Sequence, residues 1–252
     1  MRIAVAGGTG VVGRHVEEAL KARGHDVATL SRSAGVDLVT ATGLDDALRD
    51  VDAVVDVSST SSQSAKAAVR FFGTVTRNLL NAEKRARVRH HVALSIVGAA
   101  QADSGYYAGK VAQERIVMAL PGGWSLLRAT QFHEFAQQMT TRAAFGPLQL
   151  APIARCQPLA AAEVGEALAD IAVGEPRGLD RDLAGPREEQ MTRMIRAYLA
   201  ARGLHRLVFD FAMPGAMGRG MRDGAILPGP DARLGTQTFD EWLAEQRIPA
   251  QG

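Results

Sequence analysis

Residues 7–13 read Gly-Gly-Thr-Gly-Val-Val-Gly, and they stand between a short apolar run, Ile3–Ala6, and an amphipathic stretch, Val11–Ala22. The apolar run has the pattern of a strand buried on both faces. In the amphipathic stretch Val12, Val16, Ala19 and Leu20 recur at helical spacing, Glu17 stands four residues before Lys21, and Gly24 closes the helix. A strand that turns this tightly into a helix needs residues without Cβ. A dinucleotide pyrophosphate needs the same bareness, because it must approach backbone N–H groups at a helix N-terminus. Thus Gly7, Gly10 and Gly13 form a candidate pyrophosphate cradle, with Gly13 also letting helix and strand pack closely. Three glycines alone say little; the complete strand–turn–helix setting gives them weight. The competing reading is a Gly-rich turn in a chain that no longer holds a cofactor. No Walker lysine follows, which excludes a phosphate loop for nucleoside triphosphates.

Alternation continues along the chain. Strands are predicted at 27–30, 36–39, 53–57, 92–95 and 125–127. Helices are predicted at 44–48, 65–85 (with a possible break at Gly73) and 106–120, the last stopped by Pro121-Gly122-Gly123. Strands separated by helices require crossover connections and hence a parallel sheet. The expected fold is α/β: a doubly wound parallel Rossmann sheet with a small C-terminal substrate-binding region, within one domain over 1–252. Beyond residue 130 helices are expected at 132–145, 161–173 and 191–202, and that stretch contributes the substrate side. Residues 213–235 are rich in Gly and Pro and read as irregular, suited to a lid; Gly215–Gly220 within them reads as a flexible loop rather than a phosphate loop.

The end of the second strand selects the cofactor. NAD binding calls for an acid there, to hold the ribose 2′-hydroxyl. Here the sequence is Thr29-Leu30-Ser31-Arg32. A Ser31 hydroxyl and an Arg32 guanidinium suit a 2′-phosphate, so NADP(H) is expected over NAD(H). Arg14 is a second candidate. Against this stands the reading of both as solvated surface arginines. Asp37, followed by Leu38, can accept from the adenine amino group or be an ordinary turn carboxylate.

Tyr106 and Lys110 lie four apart, on one face of a predicted helix. Carbonyl reduction needs such a pair. A phenol titrates ordinarily near ~10, and a nearby ammonium favours its phenolate. The lysine can also hold the nicotinamide ribose. With three tyrosines and four lysines in the chain, the spacing carries information, although packing for Tyr106 and solvation for Lys110 would produce it too.

GGTGVVG, Asp37-Leu38, HHVALSIVGA, GYYAGKVAQE, LLRATQFHEF and LGTQTFDEWL together resemble the short-chain dehydrogenase/reductase superfamily, most of all its atypical, NmrA-like and epimerase/dehydratase-like members. The resemblance implies that Gly7, Thr9, Gly10, Val12 and Gly13 line the pyrophosphate, with Val11 among the cofactor-binding residues, and that Val57, Ser58 and Ser59 run beside the cofactor. It also implies that Thr130, Gln131 and Phe132 flank nicotinamide and substrate. The family's substrate-orienting hydroxyl falls at Leu94-Ser95-Ile96, where either Ser95 serves or Ile96 occupies its place.

Other features narrow the field. Net charge is +2, and the arginines of 85–89 read as a solvated face, so no nucleic-acid partner is expected. The first apolar run is too short for a signal peptide or a membrane span, and Cys156 is the single cysteine. A cytoplasmic protein with a small-molecule substrate, no membrane, no metal, and a monomeric or homodimeric state is the expectation. His90 and His91 should face opposite sides of a strand, and His133 reads as a polar pocket edge. The expected activity is an NADP(H)-dependent oxidoreductase acting on a small carbonyl, quinone or enone-type substrate. A non-catalytic dinucleotide-binding redox sensor and a nucleotide-sugar epimerase or dehydratase are the alternatives.

Overall fold

Ile3, Ala4, Val5 and Ala6 are each 0% exposed, as a central strand covered on both faces must be. The computed structural model describes residues 1–102 and 105–246. The chain divides into two compact units: Met1–Ala129 with Ala161–Arg181, and Thr130–Ala160 with the residues from Asp182 onward.

The first unit holds β1 (Arg2–Ala6), α1 (Val11–Ala22), β2 (Asp26–Leu30), α2 (Leu44–Ala47), β3 (Ala53–Asp56), α3 (Ala65–Ala86), β4 (His90–Ile96), α4 (Ala99–Ala102), α5 (Gly105–Met118) and β5 (Trp124–Ala129). Its sheet runs β5-β4-β3-β1-β2, and every pair is parallel. This is the doubly wound Rossmann order, reversing direction beside β1, where ligands of such sheets bind. The returning segment adds a helix at Ala161–Val173 and a short strand, Gly178–Leu179, parallel to β5. His91 points to Glu83 of α3, and α3 packs along α5. His90 meets Ser125 and the residues after Val173, so the two histidines do face opposite sides of β4.

The His91–Glu83 pair is buried, with Nδ1 2.8 and 3.1 Å from the two carboxylate oxygens. Burial pushes the His91 pKa down, but the charge and hydrogen bond of Glu83, with the charge of Asp56, outweigh it and raise it above 6.5. A raised folded value means the contribution is full below the unfolded pKa and fades as pH rises through the folded one. The melting-temperature gap between wild type and His91→Gln is therefore expected to be widest near pH ~6 and to narrow in alkali. A gap that widens with pH in thermal melts would reverse the assignment.

Three sequence expectations need correction in local structure. Residues 36–39 form no strand. Asp37 Oδ1 accepts the N–H groups of Val39 (2.8 Å) and Thr40 (3.1 Å), so the side chain takes donors that a ladder would need, and only an isolated bridge to Thr42 remains. Gly73 does not break α3. It is buried toward Ile116 of α5, and Arg77 caps its carbonyl at 3.0 Å, so packing overrides a helix cost of about 1 kcal/mol. Residues 215–223 are helical, not irregular. Gly218 in that helix lies against the Met213 backbone, where a Cβ would not fit, and Gly224 ends it at φ +92°.

In the second unit, a helix at Glu134–Arg142 and another at Met191–Ala201 pack with Phe239 and Trp242 of a helix at Phe239–Glu245. A strand at Leu148–Pro152 pairs antiparallel with Ala144–Phe145 and parallel with Leu207–Phe211. His133 is fully buried, 3.1 Å from the Gln237 carbonyl and against the Phe239 and Trp242 rings. It belongs to this core and is not a pocket edge.

Candidate active site

The glycine turn is built as the sequence requires. Gly7 sits at φ +83°, and a Cβ there would lie 2.9 Å from the Val57 carbonyl oxygen. Gly13 is packed against the Gly7 carbonyl and lies where a Cβ would be 2.7 Å from Gly8 Cα. The Gly10 N–H donates to the Gly7 carbonyl at 2.9 Å and fixes the turn. Helix α1 has no side-chain cap and no acid in its first turn, so the N–H groups of Val11, Val12 and Gly13 open toward an anion. Thr9 completes the turn.

Val57, Ser58 and Ser59 leave the end of β3 directly beside Gly7. Ser58 is buried, and its Oγ has no hydrogen-bond partner among the described residues. Ser95, near the end of β4, is buried and likewise unpartnered at Oγ. Strand alternation puts Ser95 on the face of His91, hence toward α3 and α5. A bare cradle, an uncapped helix N-terminus and two buried hydroxyls without acceptors at neighbouring strand ends are what a dinucleotide would satisfy. The residues present fit that cofactor.

At the end of β2, Ser31 Oγ lies 2.9 Å from Ser33 Oγ. Arg32 starts a single helical turn and is exposed, with no ion pair among the described residues. Arg14 is exposed in the same way. Asp37 spends Oδ1 on its own turn, which leaves Oδ2, while the Leu38 carbonyl accepts from Asn78 at 2.9 Å.

Tyr106 and Lys110 both lie on α5 and both contact Phe72 of α3. The rings of Phe72 and Tyr106 meet edge to face at 5.4 Å, and Lys110 Nζ sits 4.3 Å over the Phe72 ring. The close approach of α5 to α3 is permitted by Gly109, where a Cβ would fall 2.6 Å from Phe72. Helix α5 is also clamped to β5 by a two-pronged Arg128–Glu114 pair at 2.8 and 2.7 Å. The Tyr106 hydroxyl is 3.1 Å from Ser59 Oγ, not from Ser95. Lys110 is buried; its ammonium donates to the Leu94 carbonyl (2.8 Å) and to Gln113 Oε1 (2.9 Å).

Gln113 and Asp56 were missed from sequence. Gln113 Nε2 donates to Asp56 Oδ2 at 2.8 Å, and both residues are 0% exposed. The signal existed: Asp56 is an acid at the end of an otherwise apolar strand, and Gln113 lies one helical turn past Lys110. Thr130, Gln131 and Phe132 open the second unit, bonded there to Leu183, Gln157 and Leu159. Cys156 is no nucleophile, since burial pushes its thiol up to about 12. Among the described residues no cluster of His, Cys, Asp and Glu is arranged to hold a metal, and no helix is long and apolar enough to cross a membrane.

Fold and cradle together define a Rossmann protein that binds a dinucleotide, NAD or NADP. Residues 3–120 match the model of the NAD dependent epimerase/dehydratase family. That match spans just under half of the chain, the part that holds the glycine turn and the Tyr106–Lys110 helix. No curated protein matches it in sequence. Among experimental structures it is similar to an NADPH-dependent quinone oxidoreductase from Escherichia coli in complex with NADPH, at 18% identity and TM-score 0.72, over 96% of this chain and 99% of that one. It is also similar to a Thermus thermophilus UDP-glucose 4-epimerase in complex with NAD, at 20% identity and TM-score 0.68, over 100% of this chain and 95% of that one. A UDP-N-acetylglucosamine 4-epimerase from Bacillus cereus gives 20% identity and TM-score 0.69, over 100% and 98%. At these identities the likeness concerns the fold.

Proposed function

We propose that the protein is an oxidoreductase that prefers NADP(H) and transfers hydride to or from a small carbonyl, quinone or enone-type substrate. The observation that carries this reading is the Tyr106 hydroxyl held on one helix face with the buried Lys110 ammonium, both against Phe72 and beside the ends of β3 and β4. When bound, the cofactor supplies or accepts the hydride. Tyr106 gives a proton to the forming alkoxide oxygen. Ser59, exposed and bonded to the Tyr106 hydroxyl, returns a proton from solvent. Lys110 keeps positive charge near the phenol and offers its remaining N–H to the ribose. Ser95 orients the substrate oxygen. Gly7, Thr9, Gly10, Val11, Val12 and Gly13 hold the pyrophosphate, and Val57, Ser58 and Ser59 line the cofactor. Asp37 Oδ2 accepts from the adenine amino group, with Leu38 beside it. Thr130, Gln131 and Phe132 serve the nicotinamide and substrate side. The protein acts alone or as a homodimer, in the cytoplasm.

The cofactor preference rests on Ser31 and on Arg32, which is exposed and has no ion pair among the described residues. Arg32→Asp removes a charge-assisted bond to a 2′-phosphate and adds repulsion. It should weaken NADPH roughly ten- to a hundredfold and leave NADH nearly unchanged. Calorimetry on both cofactors decides. Equal affinity of the wild type for NADH and NADPH would sink the preference.

A sugar-nucleotide epimerase is the second reading. It is favoured by one observation: the chain spans 95% and 98% of two such epimerases, so size does not separate the activities. A substrate panel distinguishes them. Net NADPH oxidation by quinones, enones or small carbonyls supports the oxidoreductase. Interconversion of UDP-hexoses without net cofactor change replaces it. Turnover of neither, with a protein partner responding to the NADPH/NADP ratio, marks a redox sensor.

A further inference from the structure

Lys110 does not hold itself in place. Its ammonium is buried, and its hydrogen-bond acceptors among the described residues are neutral, the Leu94 carbonyl and the Gln113 side-chain oxygen. The orientation of the Gln113 amide is dictated by chemistry. An ammonium can only donate, so it faces Oε1; a carboxylate can only accept, so Asp56 faces Nε2. Asp56 Oδ1 in turn accepts the Ser58 N–H at 2.9 Å. The next residue, Ser59, reaches the Tyr106 hydroxyl at 3.1 Å, and Tyr106 is one helical turn from Lys110. The chain of contacts is closed: Tyr106, Ser59, the Ser58 backbone, Asp56, Gln113, Lys110 and back along α5.

We propose that Asp56 and Gln113 are positioning residues for this site, coupling the Lys110 ammonium on α5 to the Ser58–Ser59 segment after β3. The inference deepens the oxidoreductase reading and rests on its assignment of Lys110 to the ribose. Neither residue touches reacting atoms. Asp56 supplies the negative charge that balances the buried ammonium through one intervening amide. Gln113 relays it while keeping the two charges apart, so that the ammonium retains an N–H for a ligand instead of closing on the carboxylate. Asp56 also holds the Ser58 N–H, and so steadies the segment whose next hydroxyl, that of Ser59, meets Tyr106.

The test uses purified full-length protein and NADPH, with binding followed by fluorescence and turnover measured separately on whichever substrate the panel finds. Gln113→Leu keeps the bulk and loses both bonds. It should raise the NADPH Kd about tenfold or more. Gln113→Glu is the discriminating variant. Protonated, its hydroxyl donates to Asp56 and its carbonyl accepts from Lys110, which reproduces the glutamine. Ionised, it sets two carboxylates against each other. Burial and Asp56 raise its pKa and the Lys110 ammonium lowers it, while His91, which also feels Asp56, is common to every variant compared. The Kd of Gln113→Glu should therefore approach wild type in acid and worsen as pH rises, whereas that of Gln113→Leu stays high throughout. Ser125→Ala, which breaks a buried bond to His90 on β4, should lower the melting temperature without moving the NADPH Kd.

Wild-type NADPH affinity in Gln113→Leu, or a Gln113→Glu profile parallel to that of Gln113→Leu at every pH, overturns the inference. Lys110→Met separates the two levels. If it weakens NADPH while Gln113→Leu does not, only the positioning role falls. If it leaves NADPH affinity unchanged, the ribose assignment fails and the inference falls with it. If the binding results hold but no carbonyl, quinone or enone is reduced, the positioning role stands and the oxidoreductase reading fails.

Discussion

Tyr106→Phe is expected to lower turnover by roughly 10²–10⁴-fold, the usual worth of a positioned general acid, while NADPH affinity stays nearly unchanged. The substitution keeps the ring against Phe72, so the edge-to-face contact at 5.4 Å survives and α5 stays packed. Only the hydroxyl leaves, and with it the bond to Ser59. Because that bond lies at an exposed serine, its loss costs little stability. A fall in kcat with a constant Kd for NADPH would therefore mark a proton-transfer role and not a folding defect. Tyr107 is the control. It is one residue on, about 100° round the helix, and buried, so Tyr107→Phe should leave the rate within the range of a packing change. Full activity of Tyr106→Phe on a verified substrate would mean that another group, or solvent, delivers the proton.

The parts of this site legible in the sequence are those that backbone geometry dictates. Gly7 and Gly13 are needed because a carbonyl and a Cα occupy the space a Cβ would take, and the residue types announce that. The β1–α1–β2 unit could be read because a buried parallel strand is apolar without interruption and α1 keeps its apolar face at helical spacing. Side-chain commitments were not legible in the same way. Asp37 looked like a ligand or a turn residue, and only the positions of the Val39 and Thr40 N–H groups show that one oxygen belongs to the turn. Gly73 looked like a break because helix propensity is local, while its burial against α5 is tertiary. Residues 215–223 looked irregular for the same reason. Gln113 carried no motif, and its role depends on a carboxylate 57 residues away that the sheet brings to it. Lys110 was matched by spacing alone. Its burial, its neutral acceptors and the preference of Tyr106 for Ser59 are products of packing between α3, α5 and β4.

Gly13→Ala should abolish measurable dinucleotide binding, with the Kd rising by more than about a hundredfold, and should lower stability by about 1–3 kcal/mol. The added methyl meets the Gly7 carbonyl and stands 2.7 Å from Gly8 Cα, and both obstacles are backbone. A flexible side chain could swing away; a carbonyl in a turn cannot move without dragging its neighbours. Gly7 is itself fixed at φ +83° against the Val57 carbonyl, and its carbonyl also receives the Gly10 N–H. Displacing it unseats the turn from both sides. The N–H groups of Val11, Val12 and Gly13 then no longer converge on one point, and an anion held by several short bonds at a helix N-terminus loses them together. Gly122→Ala makes the comparison fair. Gly122 has ordinary backbone geometry, and a methyl added there would have nothing within 4 Å, so the same chemical change should alter neither stability nor binding. Calorimetric titration with NADPH and NADH, paired with thermal melts, reads both effects. If Gly13→Ala bound either dinucleotide as tightly as wild type, the turn would not be the pyrophosphate cradle, and the anion would have to sit elsewhere on the sheet edge.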